Sequence, residues 1–279
     1  MEKTPTEIKA SGRKGAIILK KLHFDYYMKV SYSIPVSICY FTIKCIPRSN
    51  ARQTLTDYKI ELNPEISYSK NHDSFFNEQI YGCVNVSHDM FSFHISGDVE
   101  IGQILYEEME NEDLDMMFGH PYNLNKAGSK IKKYFEDLHI SESMSDYEKS
   151  IFIMRQLYQD FSYEKNITDI NTTAEEAFIK GKGVCQDYAH IMIALLHLAG
   201  IKARYVTGML IGEGASHAWV EILWKNRWIG MDPTNNVLVA ESHIKLAHGR
   251  DASDCMINRG IMRGGGNQLQ VVDVTVSEE

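Results

Sequence analysis

Hydrophobic residues in the first third of the chain follow the pattern of several short β-strands. Aromatic and β-branched residues are dense in segments 26–32, 37–46 and 58–62, and they alternate near period two between Val84 and Ile95. Short stretches rich in Pro, Asn, Asp, Ser and Gly separate these runs, as turns do. The region is therefore predicted to form a β-sandwich or a barrel-like domain.

An acidic run separates this region from the rest of the chain. Six of the nine residues from 107 to 115 are Asp or Glu, a composition typical of a solvated linker. The predicted organisation is therefore a β-rich N-terminal domain over 1–115, with the acidic linker at its end, and a second domain over 116–279.

Helical periodicity dominates the first part of the second domain. Ser145 and Thr173 each precede a helical run and are each followed three residues later by Glu, which is the signature of a capping box. Segment 184–199 is apolar almost all round and ends at Gly200, which predicts a helix buried on most of its sides.

The remainder of the second domain is predicted to be mainly strands. They cover residues 203–210, 217–224 and 228–231, and a helix near 241–248 and a strand near 269–276 complete the domain. A β-rich domain followed by helices packed on an antiparallel sheet belongs to the α+β class.

Composition and charge narrow the function classes. The 279 residues carry a formal net charge of −8, without the clustered Lys and Arg that a nucleic-acid surface needs. No run approaches the roughly 18 apolar residues of a membrane span, and the first residues lack the apolar core of a signal peptide. Neither a nucleic-acid partner nor a membrane partner is expected.

The cysteines indicate a reducing compartment. There are five of them, irregularly spaced and without a CxxC pair, so neither a disulfide scaffold nor a structural zinc site is predicted. Cytoplasmic localisation is the expectation, and in that compartment a lone cysteine is a candidate nucleophile. No cofactor and no bound metal are expected.

Cys185 is the candidate nucleophile. It follows Gly181 and Gly183 at the first turn of the predicted buried helix, where free backbone N–H groups and the helix dipole stabilise a thiolate. The alternative interpretation is a small buried hydrophobic residue, which most cysteines are.

His217 and Asp232 are candidates for the base and for the group that orients it. His217 begins a strand after a glycine-containing segment, 212–216, expected to be a flexible loop, and Asp232 ends the next strand. Antiparallel pairing of these strands can bring the carboxylate beside the imidazole. Taken singly, His217 is more often a structural histidine, and an Asp-Pro pair is a common turn start.

Three blocks of sequence around these residues carry a family resemblance. The chain resembles the bacterial transglutaminase-like superfamily in Gly183–His190, Gly214–Glu221 and Gly230–Asn235. Segments 47–64 and 248–266 are also similar to this group, so the resemblance covers nearly the whole chain.

The resemblance implies a papain-like core with a catalytic triad of Cys185, His217 and Asp232, preceded by a β-rich domain. It does not identify the side chain that helps the backbone N–H of Cys185 to stabilise an oxyanion, for which Gln156, Gln159 and Tyr163 are open candidates.

The expected function is hydrolysis of an amide or peptide bond through a thioester acyl-enzyme. The substrate is expected to be a peptide, a protein or a small amide. Acyl transfer to an amine, as in a cross-linking transglutaminase, uses the same chemistry up to the acyl-enzyme and stays open, as does an inactive binding module. The sequence does not indicate the oligomeric state.

Overall fold

Two antiparallel sheets organise the chain, and the first takes its strands from both ends of the sequence. The computed structural model describes residues 20–104, 106–108 and 116–279. Strand β1, Lys20–Ile43, is the centre of the first sheet, and every second residue from Leu22 to Tyr32 is buried. That alternation is the mark of a strand with one face on a core.

Strand β1 is paired along both of its edges. Strand β15, Asn258–Glu278, follows one edge, from Leu22 opposite Glu278 to Ile43 opposite Asn258. On the other edge β1 pairs first with β5 and then with β4, so the sheet curls. The other strands of this sheet are β2 (Gln53–Asn63), β3 (Tyr68–His72), β4 (Glu78–Val84), β5 (His88–Ile101) and β10 (Gly212–Gly214).

The second sheet has the order β13-β12-β11-β9-β14, and strand β6 pairs with the outer edge of β12. All of its pairings are antiparallel, as predicted. Its strands are β6 (Tyr106–Glu108), β9 (Ala203–Leu210), β11 (His217–Trp224), β12 (Arg227–Asp232), β13 (Val237–Leu238) and β14 (His243–Gly249). Strands β7 (Ser162–Tyr163) and β8 (Lys182–Gly183) form a separate two-stranded parallel sheet.

Four α-helices lie wholly within the described residues beside the second sheet, and the two predicted helix starts are confirmed. The side chains of Ser145 and Thr173 accept from the backbone N–H groups of Glu148 and Glu176, whose carboxylates accept in return. The longest buried stretch is the helix from Cys185, in which every residue from 187 to 196 is buried. The helices are α1 (Ser129–Asp137), α2 (Asp146–Asp160), α3 (Ala174–Lys180) and α4 (Cys185–Leu198). The α+β class and the helix on an antiparallel sheet are confirmed.

The prediction of a helix near 241–248 is wrong, because this segment is strand β14. All seven of its residues are buried and it pairs with β9. Ile244 and Leu246 belong to the core of the first sheet, whereas the polar side chains of His243 and Lys245 are buried against other partners. A strand buried on both faces lacks a two-residue polarity pattern, so periodicity does not distinguish it from a short buried helix.

The predicted C-terminal strand exists, but it lies in the first sheet and not with the second domain. Strand β15 pairs with β1 and also holds β10, the segment just before His217. The two sheets are therefore linked by strands that cross between the two predicted domains. The division of the chain near residue 115 stays a prediction.

A buried cluster of charges replaces part of the predicted solvated linker. Glu107 lies in β6 and pairs with Arg204 and Lys245 at 2.9 and 3.0 Å, and Glu221 contacts the same two cations at 2.6 and 2.8 Å. Burial raises the pKa of Glu107, but the cations outweigh this and lower it to about 2. The linker prediction is wrong for Glu107, and residues 109–115 lie outside the described residues.

The turn before β2 fastens the first sheet to strand β14. Arg52 donates from Nη2 to the carbonyl oxygens of Ala240 and His243, both at 2.6 Å. The Gln53 side chain donates to the Lys245 carbonyl at 2.8 Å and accepts from its N–H at 2.9 Å. These buried hydrogen bonds hold the first sheet against strand β14 of the second sheet.

Replacement of Glu221 by Ala is expected to destabilise the protein by about 3–5 kcal/mol, because Arg204 and Lys245 then share one carboxylate inside the protein. The free energy of unfolding in urea measures this loss. Asp137→Ala, which removes a solvent-exposed partner of Lys133, is the matched control and is expected to leave the value unchanged. Equal values for wild type and Glu221→Ala would contradict a stabilising role for the cluster.

Candidate active site

Cys185 is the first residue of helix α4, as predicted, and a neighbouring carboxylate fixes this helix start. Asp187 Oδ2 accepts from the Val184 N–H and from the Thr168 hydroxyl, both at 2.7 Å. A side chain at Gly183 would meet that carboxylate at 2.4 Å, which explains the glycine. The N–H of Cys185 is not used inside the helix, because the first turn has no preceding carbonyl partner.

His217 is held by both sheets. It is the first residue of β11 and stands opposite Gly208 of β9. The segment before it was expected to be a flexible loop, but Gly212–Gly214 forms strand β10, paired with β15 of the first sheet. The Tyr26 hydroxyl, also from the first sheet, hydrogen-bonds the side chain of Ser216. The chain is thus fixed immediately before the imidazole.

The register of β11 with β12 brings His217 to Asp232. Val220 stands opposite Met231, so by continuation of the register Trp219 stands opposite Asp232, on the face of the sheet that also carries His217. His217 Nε2 lies 2.8 Å from Asp232 Oδ2, and the side chain of Cys185 is near enough to the imidazole to raise its pKa. The structure therefore brings the three predicted residues together, with His217 between Asp232 and Cys185.

The electrostatics of this group favour a charged imidazole. Burial lowers the pKa of His217, but the hydrogen bond to Asp232 and the nearby Cys185 outweigh it and raise the pKa to about 10. The site thus places a protonated imidazole between a buried carboxylate and a cysteine side chain.

Asp232 is buried and accepts an unusual number of hydrogen bonds. Oδ1 accepts from the N–H groups of Thr234 and Asn235 at 3.0 and 3.2 Å, and Oδ2 accepts from the Asn235 amide at 2.7 Å. Burial raises the pKa of this carboxyl, but its bonds to His217 and His243 hold the pKa well below its ordinary value. Asp232 therefore stays ionised.

His243 is the residue that sequence reasoning missed. Its Nε2 lies 3.3 Å from Asp232 Oδ2, and its Nδ1 lies 3.0 Å from the Ser242 hydroxyl. Burial lowers its pKa, with Asp232 acting against this. The segment that contains His243 was predicted to be a helix. His243 faces Asp232 only because the segment is strand β14, so no pattern in the sequence could have identified this residue.

Trp219 covers the imidazole–carboxylate pair. Its side chain is fully buried with Val206 and Val239. Its ring centroid lies 5.4 Å from that of His243, edge to face, and 6.3 Å from that of His217. Trp219 therefore packs against both imidazoles that hydrogen-bond Asp232.

Other polar residues near Cys185 in sequence differ in their contacts. His190 is fully buried, and its Nε2 accepts from the Ala252 N–H at 3.1 Å, which is a structural role. Tyr163 is close enough to Cys185 that, after burial, the cysteine charge raises the pKa of its phenol. Gln156 and Gln159 hydrogen-bond each other at 3.3 Å, so of the three oxyanion candidates Tyr163 is the one whose electrostatics respond to Cys185.

The site offers one group of possible metal ligands. Ligating atoms of His217, Asp232 and His243 all lie within 4.8 Å of one another. These atoms already hydrogen-bond one another, so a metal ion there would break the hydrogen bond between Asp232 and His217. The donor set therefore fits proton transfer with both Nε2 atoms hydrogen-bonded to Asp232.

Comparison with known proteins agrees with the geometry. Residues 136–233 match the transglutaminase-like superfamily, and residues 22–100 match the bacterial transglutaminase-like N-terminal region. The first match contains Cys185, His217 and Asp232, and the second contains most of the first sheet's N-terminal strands.

Relatives and structural neighbours extend over nearly the whole chain. Uncharacterized proteins of Mycobacterium tuberculosis and Mycobacterium leprae are each 27% identical to it, over 88% and 86% of this chain and 88% and 93% of theirs. The crystal structure of a “Putative Cysteine Protease” from Cytophaga hutchinsonii is similar with a TM-score of 0.77 and 20% identity, over 94% of this chain and 91% of that one. At that identity the likeness establishes the fold.

Among the helices in the described ranges, none combines the length and the apolar character that a membrane crossing requires.

His217→Ala is expected to slow alkylation of Cys185 by iodoacetamide about tenfold or more at pH 7, because an ordinary thiol of pKa about 8.5 is mainly protonated there. The His217 pKa of about 10 means that the imidazolium persists below pH 10 and is lost above it. The difference between the proteins should therefore shrink as the pH rises past the ordinary thiol pKa.

Mass spectrometry after timed labelling measures these rates, and Cys185→Ala separates labelling of Cys185 from that of the other four cysteines. Equal rates for wild type and His217→Ala at neutral pH would contradict an activated thiolate.

His243→Phe is expected to slow the same alkylation by about tenfold, because Asp232 loses a donor that holds it in place, as with other supporting residues. His243→Gln retains a donor and should restore most of the rate. His248→Phe, on the same strand but packed against Phe118, is the control and should react as wild type does. Loss of rate in all three variants would indicate a general packing effect instead.

Proposed function

We propose that the chain is a cysteine-dependent hydrolase of amide or peptide bonds. The observation that carries this proposal is the grouping of Asp232, His217 and Cys185, in which Asp232 hydrogen-bonds His217 and Cys185 lies near the imidazole. It supplies a nucleophile, an acid–base group and an orienting carboxylate in contact with one another. The transglutaminase-like family and the fold shared with the Cytophaga hutchinsonii protein support an enzyme of this kind.

The reaction has two halves. The thiolate of Cys185 attacks the amide carbonyl carbon, and the imidazolium of His217 gives its proton to the nitrogen of the leaving amine as the C–N bond breaks. The product of this half is a thioester on Cys185 and a free amine. Neutral His217 then takes a proton from water, whose oxygen attacks the thioester and releases the acid and the thiolate.

Two donors are proposed for the oxyanion. The backbone N–H of Cys185 is at the helix start, where it is not part of the helical ladder and the helix dipole favours negative charge. The phenol of Tyr163, which already interacts with Cys185, is the second. Its high pKa keeps it protonated and able to donate at neutral pH.

Hydrolysis is preferred to transfer to an amine. Both reactions share the thioester, but transfer to an amine requires a second site that keeps water out. The substrate is a peptide, a protein or a small amide. We place the reaction in the cytoplasm, which the five unpaired cysteines support.

The test uses a peptide-amide library, with and without an added alkylamine, and mass spectrometry of substrates and enzyme. Hydrolase activity predicts acid products, a thioester on Cys185, and loss of product in Cys185→Ala and His217→Ala. Tyr163→Phe should slow acylation about tenfold or more without slowing alkylation by iodoacetamide, as loss of one oxyanion donor does.

Predominance of amine adducts over acid products would favour an acyltransferase. Rapid turnover by Cys185→Ala would overturn the proposal, and an unreactive Cys185 would favour a binding module.

A further inference from the structure

A cavity of about 450 Å³ lies beside the Cys-His-Asp group and is not used by the chemistry described above. Its wall includes Gln186, next to the nucleophile, and Ser216, next to the imidazole. It also includes Tyr205, whose pKa is raised by burial and by the charge of Cys185. The wall of the cavity thus contains the chain neighbours of both Cys185 and His217, and its volume is typical of a ligand site.

We propose that this cavity binds the part of the substrate next to the scissile amide and that it selects an uncharged amino-acid side chain. This inference rests on the proposed hydrolase function and names the substrate class for the same site.

The described residues that line the cavity carry no charge. Asp, Glu, Lys and Arg form 24% of the chain, yet none of them, and no histidine, is among the described residues that line the cavity. A charged side chain in the cavity would lose water without gaining an ionic partner, and that loss is costly. A neutral side chain avoids this cost.

The polar groups in the wall suit a peptide. Five amide side chains line the cavity, and each offers both a donor and an acceptor, as a peptide group does. The wall also contains apolar side chains, such as those of Met28, Val272 and Ile257, which can pack against the carbon atoms of a bound peptide. The amides are those of Asn123, Asn171, Gln186, Asn258 and Gln270.

One wall of the cavity comes from the first sheet. Met28 of β1 stands opposite Val272 of β15, and Val30 stands opposite Gln270, so neighbouring positions of one strand pair face the cavity. Tyr205 and Thr207 of β9 form the facing wall in the second sheet. Selection of the substrate therefore depends on both sheets, although His217 and Asp232 lie in the second sheet and Cys185 lies in helix α4.

Binding to Cys185→Ala tests the inference without any chemistry. Acetylated Gly-X-Gly amides with X as Leu, Gln, Glu or Lys are titrated and followed by NMR. The Leu and Gln peptides are expected to bind at least about tenfold more tightly than the Glu and Lys peptides, because only the charged ones pay for desolvation.

Charge placed in the wall should reverse this selection. Gln270 is exposed, so Gln270→Lys should fold and should favour the Glu peptide, whereas Gln270→Glu should favour the Lys peptide. Gln268→Lys is the matched control, because Gln268 is on the same strand and exposed but does not line the cavity.

Equal affinities for the four peptides, no measurable binding of any of them, or the same effect from Gln268→Lys would overturn the inference. Neutral selection by a protein whose Cys185 is unreactive in the alkylation assay would overturn only the hydrolase function. Reactive Cys185 without neutral selection would overturn only the role of the cavity.

Discussion

The hydrogen bonding of the Asp232 carboxylate is the constraint on which the candidate site depends. Two backbone N–H groups, an amide and two imidazoles surround this one buried group. They keep it ionised, and its charge raises the pKa of His217. The Asp-Pro-Thr-Asn turn supplies three of these contacts from four consecutive residues, which couples the position of the carboxylate to the end of one strand.

The first sheet reaches the site by three separate routes. It pairs with the segment before His217, it hydrogen-bonds Ser216 through Tyr26, and through Arg52 it holds the carbonyl of His243. Its strands also line the neutral cavity. The N-terminal region is therefore better described as part of the frame of the site than as an appendage to a self-sufficient core.

Much of this arrangement was predictable, and the exceptions share a cause. Helix starts at Ser145 and Thr173, and the neighbourhood of Cys185, His217 and Asp232, depend on short local patterns and on the pairing of two adjacent strands. The strand character of His243–Gly249 and the burial of Glu107 depend on contacts between distant segments. The same is true of Gly212–Gly214, which looks like a loop until β15 pairs with it. No single segment encodes its distant partner.

The pairing of β1 with β15 also has a consequence for how the protein is made. These strands are nearly the whole chain length apart in sequence, and β1 is without its main partner while the ribosome synthesises everything between them. Contacts of such high sequence separation form slowly, because a long loop must close first. The nascent first sheet therefore has an open edge until β15 emerges, and an open edge is a template for wrong pairing.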